Sequence, residues 1–435
     1  MKLALLTLRA SPPQPCLIGP CGPSIFRILP PLPARAITMR TSANIERLQP
    51  SATIAVSTLA KRLADEGRDI LNLSAGEPDF DTPVFIADAG VKGIRDGHTR
   101  YTPPPGIPAL RKAIAARLSE QAGRTMDWAG VVVSAGAKQA LFNATFCLFG
   151  PGDEVLIAAP YWTSYPDLVN IARAKPVELF GSEADDFKVT PADLEAACTD
   201  RTRGFIINSP SNPTGAVYSL EELTALTAWC KSRGVWIISD EIYRNIYHEA
   251  GGAPAAGVLD VPEESLGDFV LVDGASKSFA MTGWRTGFSW CAPELAKKFA
   301  DLQSQITSNT TTPSQIATLE AYSNVRAARA SVSEMAAAFR RRRDLVVARM
   351  KELMPAVPFV YPSGAFYLYF RVDHLFTGDV TGATAWCSRL LEAEGVALVP
   401  GGAFGDDRWV RMSYAASEET LEKALVRMAS FVKGG

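Results

Sequence analysis

From Val131 onward the chain alternates between short apolar runs and longer amphipathic ones. Apolar runs fall at 131–133, 155–158, 177–179, 205–207, 235–239, 269–272 and 287–290, and each reads as a buried strand. Between most of them lie helical patterns, as at 138–149 and 220–233. Strands that alternate with helices predict an α/β fold, here a mostly parallel seven-stranded sheet with helices on both faces. Ahead of this region, 54–63 has helical spacing, 70–74 reads as a short strand, and a stiff proline-rich loop at 101–106 leads into a helix over 108–121. Behind it, a polar, threonine-rich turn at 303–314 precedes one long helical stretch, 315–353. Strands at 364–370 and 409–413 then suit a smaller α+β lobe. The pattern divides the chain into 1–38, an N-terminal arm and small-domain part at 39–75, a large domain at 76–314 and a small C-terminal domain at 315–435.

Residues 1–38 break the pattern. They hold eight prolines, four basic residues and no acid. The apolar stretch 3–8 is shorter than a secretory signal requires, and the prolines oppose an amphipathic transit helix. The segment reads as a disordered extension or a mis-called start, with the initiator at Met39. Composition narrows the rest. The 435 residues are 47% hydrophobic and 21% charged, with a formal net charge of −2. That balance makes no electrostatic case for nucleic acid or an anionic membrane. No apolar run approaches the roughly 20 residues that span a bilayer. Seven scattered cysteines, an odd number with no C-x-x-C, favour reduced thiols and a cytoplasmic protein. His98, His248 and His374 are far apart, and no metal site is expected.

In parallel sheets, ligands sit beyond the carboxyl ends of the strands, and the residues there carry the chemistry. The run 269–272 leads into DGASKSFAMTGWRTG, residues 273–287. A lysine among small residues at a strand mouth is desolvated, which lowers its pKa and makes Lys277 a nucleophile toward a carbonyl. Arg285, eight positions on, suits bidentate phosphate binding. Gly136, Ala137 and Lys138 open the helix after the first strand, where backbone N–H groups favour an anion. No G-x-G-x-x-G is present there, so a nicotinamide site lacks its main support. Trp162, after the second strand, suits stacking on a flat ring, although aromatics at such places more often belong to the core. Asp240 closes the 235–239 strand, where a carboxylate would keep a pyridine nitrogen protonated; standing alone it would read as a cap. Tyr243 follows it, and the turn NSPSNPTG at 208–215 presents Asn212. Arg411 lies in an apolar strand, where an unpaired charge is costly and a salt bridge is the ordinary answer. The basic run 340–343 reads as a solvated helix face.

The string Ser-Lys-x-Phe-x-Met-x-Gly-x-Arg-x-Gly from Ser276 to Gly287 resembles the cofactor-lysine signature of class I aminotransferases. These are fold-type I enzymes dependent on pyridoxal 5′-phosphate, and the resemblance runs from about residue 44 to 432. It implies that Lys277 carries the cofactor, with Asp240 at its ring nitrogen, Trp162 on its ring, and Asn212 and Tyr243 at its phenolic oxygen. It places Arg285 and the 136–138 turn at the phosphate, joined by Tyr101 of the neighbouring subunit in a homodimer with composite sites. Gly76 and Arg411 are implied as contacts of the substrate carboxylate. One position departs from many relatives, which carry a phosphate-binding serine where this chain has Gly274. The Pro-Ser-Ala-Thr arm with Thr53 and the Gly-Ala-Lys-Gln turn with Lys138 resemble a subgroup that includes dual aspartate and prephenate aminotransferases. The implied substrates are aspartate, glutamate and 2-oxo acids, with prephenate as a second acceptor. A solvated first-turn lysine and an N-cap threonine are the plain alternatives for that pair. An aminotransferase for aromatic or neutral amino acids is the rival function.

Overall fold

The computed structural model describes residues 52–249 and 252–434, together with Ser42 and Ile45. The segment 1–38 lies outside the described residues. A two-residue strand, β1 (Leu71–Asn72), comes first. Seven strands follow where the apolar runs predict them: β2 (Val131–Ser134), β3 (Glu154–Ala159), β4 (Lys175–Phe180), β5 (Thr202–Asn208), β6 (Trp236–Asp240), β7 (Phe269–Gly274) and β8 (Gly287–Trp290). They form one sheet in the order β2-β8-β7-β6-β5-β3-β4. Only β8 runs against its neighbours; the other pairings are parallel.

The inner strands are mostly apolar because both faces of the sheet are covered, whereas the edge strand β4 is largely exposed and carries Lys175 and Glu178. Side chains alternate between two cores. Val131, Val133, Phe205, Ile207, Ile237 and Leu271 pack on one side. Val132, Val155, Ile157, Ile206, Ile238 and Val272 pack on the other. The helix Leu220–Arg233 matches its sequence expectation residue for residue. Its ends show why: Ser219 and Glu222 form a capping box, and Gly234 closes it in a left-handed conformation at φ 64°.

The remaining strands are β9 (Phe359–Val360), β10 (Tyr367–Arg371), β11 (Val396–Ala397), β12 (Val399–Pro400) and β13 (Trp409–Ser413). Four of them make an antiparallel sheet, β12-β13-β10-β9, while β11 pairs in parallel with β1. A third core joins this sheet to the helices Val325–Leu353, Ala383–Glu394 and Glu418–Gly434.

Three local expectations change. The stretch 315–353 is two helices, Thr312–Ser323 and Val325–Leu353, broken at Asn324. There the Asn324 side chain accepts from the Ala327 N–H, a capping bond that restarts the chain in a new helix. The basic run is not a solvated face throughout. Arg343 is buried, bonded to Glu249, Asp344 and the Pro362 carbonyl, and Arg342 forks onto both carboxylate oxygens of Asp79. The strand expected from Gly364 begins at Tyr367, because Ala365 takes a left-handed φ of 56° that interrupts it.

Candidate active site

Sheet register brings the site together. Asn208 and Asp240 are paired at the carboxyl ends of β5 and β6. Gly274 at the end of β7 is paired with Gly287, and Gly287 also pairs with Ser134 at the end of β2. Because β8 runs the opposite way, its beginning lies at this edge, so Arg285 arrives where the parallel strands end. Lys277 follows β7 directly, on the single helical turn Ala275–Ser278. Gly136, at φ 81°, turns the chain into the helix Ala137–Leu148. A Cβ there would lie 2.6 Å from Arg285 Nη2, so the glycine admits the arginine. Gly274 has a similar reason. A Cβ on it would approach the Gly287 Cα to 2.7 Å, so a serine at that position would collide with β8.

Beyond these strand ends opens a cavity of about 420 Å3. Lys138, Lys277, Arg285 and Arg411 line it, against the single carboxylate of Asp240. Among the described residues none of these five groups has an ion pair within 4.0 Å. Among the described residues the lining is therefore mainly cationic, opposed by the fields of Glu77 on Lys277 and Asp167 on Lys138, and suits ligands with negative charge.

Lys277 Nζ donates to the Gly76 carbonyl at 2.5 Å and stands 5.9 Å from the Tyr243 ring centre. Burial draws its amine down to about 8, despite the opposing field of Glu77, with Arg411 and Arg285 adding to the fall. Asp240 is 3% exposed. It accepts from the Tyr165 hydroxyl at 2.7 Å and the Ile242 N–H at 3.2 Å. Burial still pushes its carboxyl up to about 6. Arg411 is 1% exposed. It reaches Asn212 Oδ1 at 2.9 Å and the Ser74 carbonyl at 2.8 Å, and its Nε has no partner. The rings of Tyr367 and Phe404 flank it at 4.4 and 5.0 Å. It is thus not the salt bridge that a buried arginine ordinarily makes. The Lys138 ammonium lies 4.9 Å over Trp162, and burial, then Arg285, lowers its pKa.

Of the residues singled out in the sequence, Gly76, Ala137, Lys138, Trp162, Asn212, Asp240, Tyr243, Lys277, Arg285 and Arg411 all line this cavity. Gly136 instead backs onto Arg285. Tyr101 is 89% exposed and away from the lining. Thr53 lies in the helix Ala52–Asp65, and its side chain is outside what is described; its neighbour Ile54 lines the cavity. Sequence reasoning missed Tyr165, which holds Asp240, and Tyr367, whose hydroxyl meets that of Tyr243 at 2.8 Å. Tyr165 lies three residues past Trp162, the one signal that pointed toward it. Tyr367 sat within a predicted strand with nothing to mark it.

Comparison with known proteins agrees with this geometry. Residues 68–428 match the family described as aminotransferase class I and II. The chain is 41% identical to an aspartate aminotransferase of Geobacillus stearothermophilus, over 91% of this chain and 99% of that protein. It is 42% identical to an aspartate/prephenate aminotransferase of Thermus thermophilus, over 89% and 97%. The solved structure of a Thermus thermophilus aspartate aminotransferase with maleate superposes with a TM-score of 0.84 at 40% identity, covering 90% of this chain and all of the other. A fold with its cations gathered at one sheet edge, and relatives that match it nearly end to end, together place the chain in the class I and II aminotransferase family.

Proposed function

We propose that the protein transfers the amino group of aspartate or glutamate to 2-oxo acids with pyridoxal phosphate, and that prephenate is a second acceptor. The observation that carries this reading is the charge of the cavity, four cations to one carboxylate. Phosphate takes one part of that excess, at Arg285 and the 136–138 turn. A substrate with two carboxylates takes the rest, at Arg411 and Lys138. The dicarboxylic specificity also draws support from the relatives, whose names pair aspartate with prephenate.

The residues present fit the cofactor. A lysine whose amine is drawn down to about 8, a buried carboxylate with no ion pair among the described residues, and an arginine beside a bare glycine would meet an aldehyde, a ring nitrogen and a phosphate in turn. Bound there, pyridoxal phosphate supplies an electron-withdrawing ring that stabilises negative charge at the substrate α-carbon. Lys277 Nζ would hold the aldehyde end of the group and, when free, would take and return the substrate α-proton. Asp240 would favour a protonated ring nitrogen, with Tyr165 orienting its carboxylate. Asn212 and Tyr243 would hydrogen-bond the phenolic oxygen, and Trp162 would cover the ring and exclude water. Arg411 presents its free Nε edge to the α-carboxylate, beside Gly76. Residues 76–314 form the part that holds the cofactor, and 39–75 with 315–435 the part that carries Arg411. Tyr101, with its exposed ring, serves the phosphate of a second copy. Mixing Tyr101→Phe with Lys277→Ala would then restore some complete sites.

The test is a half-reaction. Aspartate or glutamate, added alone, should convert the absorbance of the loaded enzyme from the aldehyde to the amine form of the cofactor. Borohydride reduction followed by peptide mapping should place the pyridoxyl group on Lys277. Label on another lysine, or conversion by alanine but not aspartate, would sink the assignment.

A further inference from the structure

The stretch 76–82 runs alongside the 277–285 segment and is tied to it four times. The Gly76 carbonyl accepts from Lys277 Nζ, and Glu77 Oε2 accepts from the Thr282 hydroxyl at 2.8 Å. Thr82 makes the other two ties with one oxygen. Its Oγ1 donates to the Ala280 carbonyl at 2.8 Å and accepts from Trp284 Nε1 at 3.0 Å. What it holds is strained. Ala280 and Arg285 take left-handed backbone angles, φ 49° and 55°, which residues with a side chain bear only where their surroundings impose them. The Trp284 ring has no slack, since a Cβ on Gly90 would approach it to 2.6 Å. The stretch is itself anchored from the far side, where the Arg342 fork grips Asp79 at 2.6 and 2.8 Å.

We propose that Thr82 is a positioning residue: its hydroxyl pins both sides of the turn between Lys277 and Arg285, and so sets the separation of the amine and the guanidinium. Thr82 does not line the cavity and acts only through its two partners. The inference rests on the reading that Lys277 and Arg285 hold the aldehyde and phosphate ends of one cofactor. A turn that relaxes leaves either group able to bind alone but not both in register.

The experiment compares wild type, Thr82→Val and Thr82→Ser after the cofactor is stripped and titrated back. It measures the Kd for pyridoxal phosphate, the pH midpoint of the bound chromophore's absorbance, and the Tm of the apoprotein. Thr82→Val keeps the shape and loses both bonds, and should weaken the Kd about tenfold and move the midpoint. Thr82→Ser keeps the hydroxyl and should return the Kd to within about twofold of wild type. A Thr82→Val protein with wild-type Kd and midpoint overturns the proposal, even where its Tm falls. So does a Thr82→Ser protein as weak as Thr82→Val. Should Thr82→Val not fold, Trp284→Phe removes the Nε1 donor together with part of the packed indole, so its Kd is read beside its apoprotein Tm; a Kd about threefold weaker with the Tm held supports the pin, and an unchanged Kd overturns it. A wild type that fails to bind pyridoxal phosphate at all overturns the proposed function, a result distinct from these.

Discussion

Glu154 and Asp240 stand on strands of the same sheet, at opposite ends, and each is only 3% exposed. Glu154 begins β3, on the edge away from the cavity. It takes a bond from the Thr199 hydroxyl at 2.7 Å and ion pairs from Arg201 and Lys175 at 2.9 and 3.1 Å. These partners, Thr199 first, hold its carboxyl below the ordinary value against the pull of burial. Asp240 ends β6 on the cavity edge. It has a tyrosine hydroxyl and one backbone N–H, and burial wins, pushing it up to about 6. Two carboxylates of equal exposure thus shift in opposite directions: desolvation governs Asp240, deep in the protein, whereas the Thr199 hydroxyl and two cations govern Glu154, close to the surface. One is complete within the chain. The other has no ion pair among the described residues and carries the cost of its burial, eased only by two hydrogen bonds and the field of Lys277. Surface exposure alone does not separate the two carboxylates, whereas deep desolvation without an ion pair marks the one at the cavity.

The comparison breaks most plainly at Asp240. Asp240→Asn keeps the size and the acceptor for Tyr165 but cannot oppose a ring cation. Its kcat should fall about 10²–10³-fold, the loss typical of one preorganised electrostatic group. Steady-state kinetics with aspartate measures it, and a loss under about fivefold would remove Asp240 from the chemistry.

The same substitution should stabilise the apoprotein, with a definite sign against pH. The folded-state pKa of Asp240 is raised, from an ordinary 3.8 to about 6. Between those values the folded chain binds more protons than the unfolded one, so stability from this group is present at low pH and lost as pH rises through about 6. Relative to Asp240→Asn, the wild-type apoprotein should lose about 2 kcal/mol of unfolding free energy between pH 4 and pH 7. Urea midpoints of both proteins across that range report it, and loading the cofactor should shrink the difference. Parallel midpoint curves would show that Asp240 ionises without cost.

Lys138 sharpens the comparison on the cation side. Losing a charged hydrogen bond costs about 1.5–3 kcal/mol, so Lys138→Ala should lower kcat/KM for aspartate and prephenate about 10- to 150-fold. Alanine, with no distal carboxylate, should suffer far less. Equal losses for all three would make Lys138 a general part of the cavity and return the side-chain specificity to the aromatic or neutral class.

How far the sequence reached follows the same division. The inner strands were legible because they are buried on both faces, which makes their central positions continuously apolar; the edge strand β4, largely exposed, showed only the short run 177–179. The helix at 220–233 was legible because its caps are local. Asp240, Lys277 and Arg285 were legible because a strand end in a parallel sheet is a place readable from order along the chain. Apart from Asn324, what escaped depends on distant partners. Asn324 breaks a helix by a local cap, but periodicity runs across it unchanged. Arg343 is buried by Glu249 and Pro362, neither of them near in sequence. Tyr165 and Tyr367 matter through hydroxyls that meet Asp240 and Tyr243, 75 and 124 residues away. Thr82 is tied to residues about 200 positions on, and no pattern in its own neighbourhood marks it.

The smallest effect belongs to Glu154, and it tests the comparison from the structural side. Glu154→Gln keeps an acceptor for Thr199 and loses the charge that answers Arg201 and Lys175. Those two cations are well exposed, with side chains 60% and 67% accessible, so water takes up much of what is lost. The apoprotein should therefore lose about 1–2 kcal/mol at neutral pH. The sign against pH runs opposite to that of Asp240. A lowered folded-state pKa adds stability above the ordinary carboxylate value and loses it as pH falls through the folded value. The gap between wild type and Glu154→Gln should accordingly narrow on acidification, whereas the gap between Asp240→Asn and wild type narrows over the same range because wild type recovers. Turnover should not change, because β3 begins at the far end of the sheet from Lys277. Urea midpoints and kcat measured on one preparation decide it. A fall in kcat without a fall in stability would mean that the two ends of the sheet are electrically coupled, and that Asp240 is not set by its own surroundings alone.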